Sequence, residues 1–329
     1  MEHFELWFKF TVAALIVVAA GLSLTKNAEK LATAMGWGHA FAGFVILGWA
    51  TSLPEVTISV SAVTEVGSAA LSVGNITGSV IFNLAILAIL ELIARKQRST
   101  SDSSDGITAL GLFNLVLIGG MLAVMWRPQL ASGAMSQVVG ILLVGGYVVT
   151  TAHAWFSQKA ESGDTEGQST PLPWAIIGRC LLAGSVILAM GIWLSHLGEE
   201  LATTYNLDEG LVGTLFLACV SSLPELVTGL GAVKLGLLTM ATASILGSNI
   251  FNLGILGVCD LLYQSGVQAG VPIVVAAETP RLTGNVVAAL GMTFLALMAV
   301  RMRSNNDKGQ LVRVCVASGM LIIYFVALI

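Results

Sequence analysis

Charge is scarce in this chain. Asp, Glu, Lys and Arg together make up 10 % of its 329 residues, against about 25 % in soluble domains. That is too little to clothe a soluble surface. Hydrophobic residues reach 56 % and the mean hydropathy is +0.87, so a polytopic membrane protein is expected.

Other absences narrow the chemistry. Glu2 and Glu5 stand ahead of the first apolar run, where a cleaved signal would carry basic residues. Cys180, Cys219, Cys259 and Cys315 are isolated within apolar runs and form no CxxC pair. They read as small buried hydrophobes rather than a disulfide or zinc framework. Only Cys219, inside a motif described below, is placed to face a pathway. His3, His39, His153 and His196 fall near run ends or loops, and the lack of a His/Cys cluster argues against zinc or copper. No GxxxxGK[ST] loop is present, so no nucleotide cofactor is expected. Gly74, Gly78 and Gly247 suit close helix packing instead. No metal motif or nucleophile–base pair marks an intramembrane enzyme.

What the chain does have is about ten apolar runs, near 8–25, 39–63, 68–93, 107–126, 133–156, 174–197, 209–233, 237–263, 283–300 and 311–329. Each approaches the roughly 20 residues that a spanning helix needs. The segment Val267–Ala277 is apolar but short, and is expected to be a surface segment or an extension of the ninth helix. Glu278 and Arg281 have the i,i+3 spacing of a helical ion pair and read as structural. The acidic residues Glu199, Glu200, Asp208 and Glu209 read as a solvated loop.

The runs repeat. Glu29–Glu55 and Glu199–Glu225 align without a gap and share Gly43/Gly213, Leu47/Leu217 and a Ser-Leu-Pro-Glu core. Downstream, Gly78-Ser79-Val80-Ile81-Phe82-Asn83-Leu84 returns as Gly247-Ser248-Asn249-Ile250-Phe251-Asn252-Leu253, and Glu91 has a counterpart in Asp260. The expected organisation is a first half at 1–157, a short polar linker at 158–172 and a second half at 173–329. About five spans per half means that the second half enters the membrane upside down, and an inverted repeat places a site at its interface near the midplane. The fold expected is therefore all-α, with about ten transmembrane helices in two inverted five-helix repeats.

Orientation follows from Lys and Arg. With the N-terminus outside, inner segments hold Lys26, Lys30, Arg95, Lys96, Arg98, Lys159, Arg179, Lys234, Arg301, Arg303, Lys308 and Arg313, and outer ones only Lys9 and Arg127. Arg281 lies close to the start of the ninth span. Both termini are thus predicted outside the cytoplasm.

Two acids sit where charge is costly. Glu55 and Glu225 each follow a proline in the middle of an apolar run, and a charge at the centre of a spanning helix costs about 2.5–3.5 kcal/mol on insertion scales. Pro54 and Pro224 remove a backbone donor and free carbonyl oxygens, which is tolerated at membrane depth only where backbone is buried in protein or lines a cavity. Thr51 and Ser52 share a helical face with Glu55, and Ser221 and Ser222 share one with Glu225. Ser79 and Asn83 are four apart on the third span, as are Ser248 and Asn252 on the eighth. Inverted symmetry brings these four faces together. The inventory is all oxygen, which suits calcium with six to eight oxygen ligands, or sodium. One calcium or two sodium ions neutralise two carboxylates. Exchange at a shared site then requires that loaded forms cross and that the empty, doubly charged site does not.

These motifs resemble the cation/calcium exchanger superfamily, most closely its prokaryotic sodium/calcium exchanger branch, over nearly the whole chain. The resemblance implies ten helices in two inverted five-helix repeats, with the first and sixth helices sliding past a core made of the others. It also implies that Glu55 and Glu225 bridge a central calcium. Thr51, Ser52, Ser221 and Ser222, with the carbonyls of Gly48 and Ala218, are then further ligands, and Ser79, Ser248, Asn83 and Asn252 complete the sodium and calcium sites. Three positions depart from the pattern: bulky Trp49 lies beside the ligands, Ser221 replaces a frequent Thr, and Asn252 stands where some members carry Asp. Sodium/calcium antiport in a prokaryotic cytoplasmic membrane is the reading expected, with membrane lipid and the two ions as the only partners. Proton-coupled antiport is the alternative, since a buried Glu can carry a proton. A passive channel is disfavoured, because channels surround a pore with rings of ligands.

Overall fold

The structure is a computed structural model of the chain, describing residues 2–34, 48–94, 104–131, 136–162, 174–277, 279–302 and 307–328. All regular elements among the described residues are helical. In the first half these are α1 (Glu2–Ala34), α2 (Gly48–Thr51), α3 (Leu53–Ser61), α4 (Ala69–Ile93), α5 (Ser104–Trp126) and α6 (Val138–Ser162). The second half holds α7 (Trp174–Tyr205), α8 (Glu209–Leu211), a π-helical segment (Val212–Leu217), α9 (Ala218–Ser221), α10 (Leu223–Lys234), α11 (Leu238–Gly266), α12 (Ile273–Ala276), α13 (Pro280–Arg301) and α14 (Asp307–Leu328).

Every predicted run lands on helix over most of its described residues. The second is described only from Gly48 onward, and the seventh is a bent pair, Glu209–Ser221 and Leu223–Lys234, meeting at 44°. Seven described helices are individually long and apolar enough to cross a membrane. α6 continues to Ser162, so helix runs into the stretch read as linker from 158. Glu278 and His39 lie outside the described residues.

Burial sorts the helices. The apolar windows of α4 and α11 are each 78 % buried inside the molecule, so these two form its centre. Those of α1 and α7 are 33 % and 17 % buried, which leaves most of their surface to lipid. At 33 and 32 residues, both reach about 50 Å at 1.5 Å per residue, longer than a hydrocarbon core of roughly 30 Å. They lie against each other through Leu6, Phe10, Ala13 and Val17 on one side and Leu194, Leu197 and Leu201 on the other.

Both broken helices are interrupted at the serine before Leu-Pro-Glu. Ser52 has φ −90° and ψ 8°, and Ser222 φ −92° and ψ 6°. Pro54 and Pro224 have no N–H for the residue four before, so the carbonyls of Ala50 and Val220 lose their helical donor. The halves then differ by one residue. Glu55 and Glu225 are 170 positions apart, whereas Gly78 and Gly247 are 169 apart. The extra residue of the first half is absorbed in a π-helical turn, Ala62–Val66, that follows α3, while α10 runs on as α-helix. A π turn spaces its hydrogen bonds at i→i+5 and so holds one residue more. Register is restored at Gly67 and Gly236, which end the two helices with φ of 77° and 81°.

Two expectations are corrected. For Val267–Ala277 the surface reading holds only for residues 267–270, which are exposed; the stretch is no extension of the ninth span, since it ends in the separate helix α12, with Ile273 and Val274 fully buried. The Ile273 N–H donates to Asp260 Oδ1 at 2.6 Å, which fixes the helix inward. Arg313, counted among the inner charges, is 2 % exposed and paired with Glu91 through Nη2 at 2.6 Å and Nε at 3.0 Å. It neutralises a buried acid and contributes nothing to the charge of the inner surface.

Candidate ion-binding site

The two broken helices cross-bond. Ser222 Oγ donates to Glu55 Oε1 at 2.8 Å, and Ser52 Oγ donates to Glu225 Oε1 at 3.3 Å. Each acid is therefore held by the serine of the other half, as inverted symmetry predicts. Glu55 is fully buried and Glu225 is 3 % exposed. Thr51 stands beside Glu225, and the two carboxyls lie within electrostatic reach of one another. No basic side chain among the described residues pairs with either.

The core helices bring the remaining groups. Ser79 and Ser221 lie hydroxyl to hydroxyl at 3.3 Å. Their approach depends on Gly78, where a Cβ would stand 2.6 Å from Thr214 Cα and 2.7 Å from Ala218 Cβ. Asn83 on α4 donates through Nδ2 to Asn249 Oδ1 on α11 at 3.0 Å. Ser248 and Asn252 are fully buried on the same helix.

Several polar atoms at this centre have no hydrogen-bond partner: Glu55 Oε2, Glu225 Oε2, Asn83 Oδ1, Ser248 Oγ, and both Oδ1 and Nδ2 of Asn252. A buried acceptor without a donor costs about 1–3 kcal/mol, more when charged. Five of the six atoms are oxygens, and all belong to residues singled out by the repeat. Among the described residues no group of three or more His, Cys, Asp or Glu forms a metal cluster, so any cation held here is held by two carboxylates with amide, hydroxyl and backbone oxygens.

The chain's likeness to known proteins agrees with this arrangement. The family model described as "Sodium/calcium exchanger protein" matches residues 5–156 and 176–329, nearly the whole chain in two pieces. The chain belongs to the sodium/calcium exchanger protein family. Among the relatives of this exchanger is a protein of Alkalimonas amylolytica described as "Putative antiporter CaxA", 27 % identical over 284 residues, 78 % of this chain and 83 % of that one. Inner membrane protein YrbG of Escherichia coli K12 is 25 % identical over 257 residues, 74 % of this chain and 75 % of its own. Two solved structures share the fold. The H+/Ca2+ exchanger CAX superposes with a TM-score of 0.73 over 98 % of this chain and 84 % of its own, at 16 % identity. The sodium-calcium exchanger NCX_Mj gives 0.63 over 96 % and 98 %, at 17 % identity. The exchanger is thus an all-α polytopic membrane protein built on inverted repeats, and its class is cation/calcium antiport.

Not every residue implied by the resemblance is left open in the exchanger. The Ala218 carbonyl accepts the Ser222 N–H at 3.1 Å and the Ser221 hydroxyl at 3.2 Å, so its lone pairs are already engaged. Gly48 begins α2, and its carbonyl belongs to the broken segment. Trp49 is turned away: it is 53 % exposed, donates its indole N–H to the Tyr147 hydroxyl and stacks on Phe251 with centroids 5.9 Å apart. Cys219 is partly buried.

One cavity reaches Glu225. It measures about 30 Å³ and is lined by Glu225, Thr228, Gly229, Ala232, Met240, Ala241, Ser244 and Ile245. A larger one, about 670 Å³, lies between α13 and α14 beside Asp208 and Arg281 and includes none of the site residues.

Sequence reasoning missed a surrounding set of buried amides. Asn249 binds Asn83, and Asn75 donates to Ser59 Oγ at 2.8 Å. On the fourth helix of each half, Asn114 donates to the carbonyl of Leu246 and Asn285 to Thr214 Oγ1. A signal existed for Asn249, since it replaces Val80 within an otherwise shared Gly-Ser-x-Ile-Phe-Asn. The fourth-helix pair also lies in repeat register, at Asn114/Asn285 beside Gly120/Gly291 and Met121/Met292.

Proposed function

We propose that the chain exchanges calcium for sodium by alternating access at the site between the two broken helices. The carrying observation is the set of buried oxygens without donors, Glu55 Oε2, Glu225 Oε2, Asn83 Oδ1, Asn252 Oδ1 and Ser248 Oγ. Calcium bound there neutralises both acids and satisfies neutral oxygens as well. Sodium as counter-ion satisfies the same atoms. A proton carried by either Glu reaches only the carboxyls, leaving the Asn and Ser oxygens unmatched, and this favours sodium over proton coupling.

In this reading the ligand set is Glu55, Glu225, Asn83, Asn252, Thr51, Ser52, Ser221, Ser222, Ser79 and Ser248, with the Gly48 carbonyl. The Ala218 carbonyl joins only in a conformation that releases Ser221. The halves 1–157 and 173–329 act as the two repeats, joined by a linker at 158–172. The protein resides in a prokaryotic cytoplasmic membrane with both termini outside. The chain needs no cofactor and no protein partner.

The test is calcium flux into proteoliposomes with sodium, potassium and proton gradients imposed one at a time. Uptake driven by sodium at fixed pH is expected. Uptake driven by a proton gradient alone establishes the proton-coupled alternative, and unitary conductance steps in a planar bilayer establish a channel.

A further inference from the structure

We infer that Asn249 is a positioning residue that commits Asn83 to present its oxygen to the transported cation, and that the two mirrored asparagines of the site are therefore not equivalent. The inference rests on the ion-binding role proposed above for Asn83.

An asparagine side chain carries an acceptor at one end and a donor at the other. Beside a cation only the oxygen binds, and a flipped amide repels the ion. Something must decide which end faces the site. For Asn83 the decision can be followed from a backbone atom. Asn249 Nδ2 donates to the carbonyl of Val80 at 3.4 Å. A carbonyl only accepts, so the end of Asn249 turned toward it is the NH2. The opposite end, Oδ1, then accepts from Asn83 Nδ2 at 3.0 Å. With its NH2 engaged, Asn83 has only Oδ1 left, and this atom is buried without a partner. Asn83 and Asn249 are both fully buried, so water does not compete for either bond.

The second half has no such relay. The position matching Asn249 is Val80, which has no polar side-chain atom. Accordingly Asn252, the mirror of Asn83, has neither Oδ1 nor Nδ2 bonded. Asn252 is free to turn its oxygen to a cation or its NH2 to a carboxylate. One half of the site thus holds a fixed oxygen and the other a reversible amide. The reversible amide can serve both the loaded and the unloaded site.

The experiment measures KM for calcium and maximal rate in proteoliposomes for the native protein and for Asn249→Val, Asn249→Ala and Asn249→Asp, using whichever gradient drives the native protein. Valine is the residue that the first half carries at this position, and either apolar variant removes the acceptor that orients Asn83. A rise in KM of roughly tenfold is expected for both, the range seen when a partner that orients a metal ligand is removed, with the maximal rate within about twofold. Asn249→Asp keeps an oxygen for the Asn83 amide, and its KM is expected within about threefold of native. The inference is overturned by an unchanged KM in the apolar variants, by a fall in maximal rate at constant KM, or by an equal loss in Asn249→Asp. Failure of both apolar variants to fold while Asn249→Asp folds would make Asn249 a folding residue and also overturn it. Absence of gradient-driven calcium flux in the native protein would instead refute the proposed function.

Discussion

At the scale of single residues, the acids and their serines decide activity. Glu55→Gln or Glu225→Gln replaces one carboxylate oxygen with an NH2 donor and halves the negative charge of the site. Either change is expected to lower calcium transport at least about a hundredfold, since two charge-assisted contacts of about 1.5–3 kcal/mol are lost. Folding should survive, because the glutamine oxygen still accepts from Ser222 or Ser52; size-exclusion profiles with flux assays check both points. Normal flux in either variant would remove the basis of the ion-site assignment. A different buried charge carries stability. Arg313 and Glu91 are 2 % exposed and joined by two hydrogen bonds. Arg313→Ala removes both hydrogen bonds and the opposite charge that Arg313 gives Glu91 and is expected to destabilise by about 3–5 kcal/mol, whereas replacing both partners by apolar residues should recover most of that loss. Thermal unfolding of the single and double variants in detergent measures the difference. Asp260, the repeat counterpart of Glu91, is satisfied in another way, by the N–H groups of Gly140 and Ile273 and by Gln264. The same repeat position has diverged from ion pair to backbone cap, and nothing in the two sequences around it announces that change.

At the scale of elements, the hydrophobic runs placed the described spans because lipid imposes a length and an apolar composition that survive in any order of packing. The breaks at Ser52 and Ser222 were equally legible, since proline in an apolar run has one structural consequence. The change of repeat spacing from 170 to 169 marks one extra residue in the first half, but not that the π-helical turn at Ala62–Val66 takes it up. What escaped were contacts between side chains that no periodicity encodes: Arg313 on Glu91, Asn249 on Asn83, and α12 folded inward onto Asp260. These depend on which helices become neighbours, which the repeat alone does not state. Helix contact also sets the element-scale prediction. Gly74 faces Gly210 and Gly213, where a Cβ would stand 2.7 Å from the Gly210 carbonyl oxygen, and Gly78 faces Thr214 and Ala218. The obstruction at each is backbone, which cannot swing aside. Gly78→Ala is therefore expected to push α4 away from the segment carrying Ser221, lengthening the 3.3 Å approach of Ser79 to Ser221. An overpacking cost of about 1–3 kcal/mol should accompany reduced calcium affinity. Gly231→Ala, where a Cβ meets nothing within 4 Å, is the control expected to be silent in both unfolding and transport.

At the scale of the whole molecule, the two mirrored halves are not in the same state. In the first half the seam between α3 and α4 is closed by Asn75 donating to Ser59 at 2.8 Å, and both residues are fully buried. The corresponding residues of the second half are Ser244 and Gly229. Glycine offers no side chain for Ser244 to bind, and the cavity of about 30 Å³ opens there onto Glu225. A cavity of about 10–15 Å³ or more holds a water, so this one admits one or two and opens a wet path to Glu225 through the second seam. The path lies beside the end of α10, where Lys234 marks the predicted inner face. Under the alternating access proposed above, one seam opens while the other is shut, and the Asn75–Ser59 bond is expected to favour opening of the second. Side-specific labelling tests this. Ser244→Cys is expected to react with a membrane-impermeant thiol reagent added on the Lys234 side, faster than the native cysteines and more slowly when calcium is saturating. Combining Ser59→Gly with Asn75→Ser gives the first seam the residues of the second. That removes a buried hydrogen bond worth about 0.5–1.5 kcal/mol, enough for a several-fold change in the ratio of the two open forms, and labelling of Ser244→Cys should slow in that background. Unchanged labelling of Ser244→Cys when Ser59→Gly and Asn75→Ser are combined would mean that Asn75–Ser59 sets no preference.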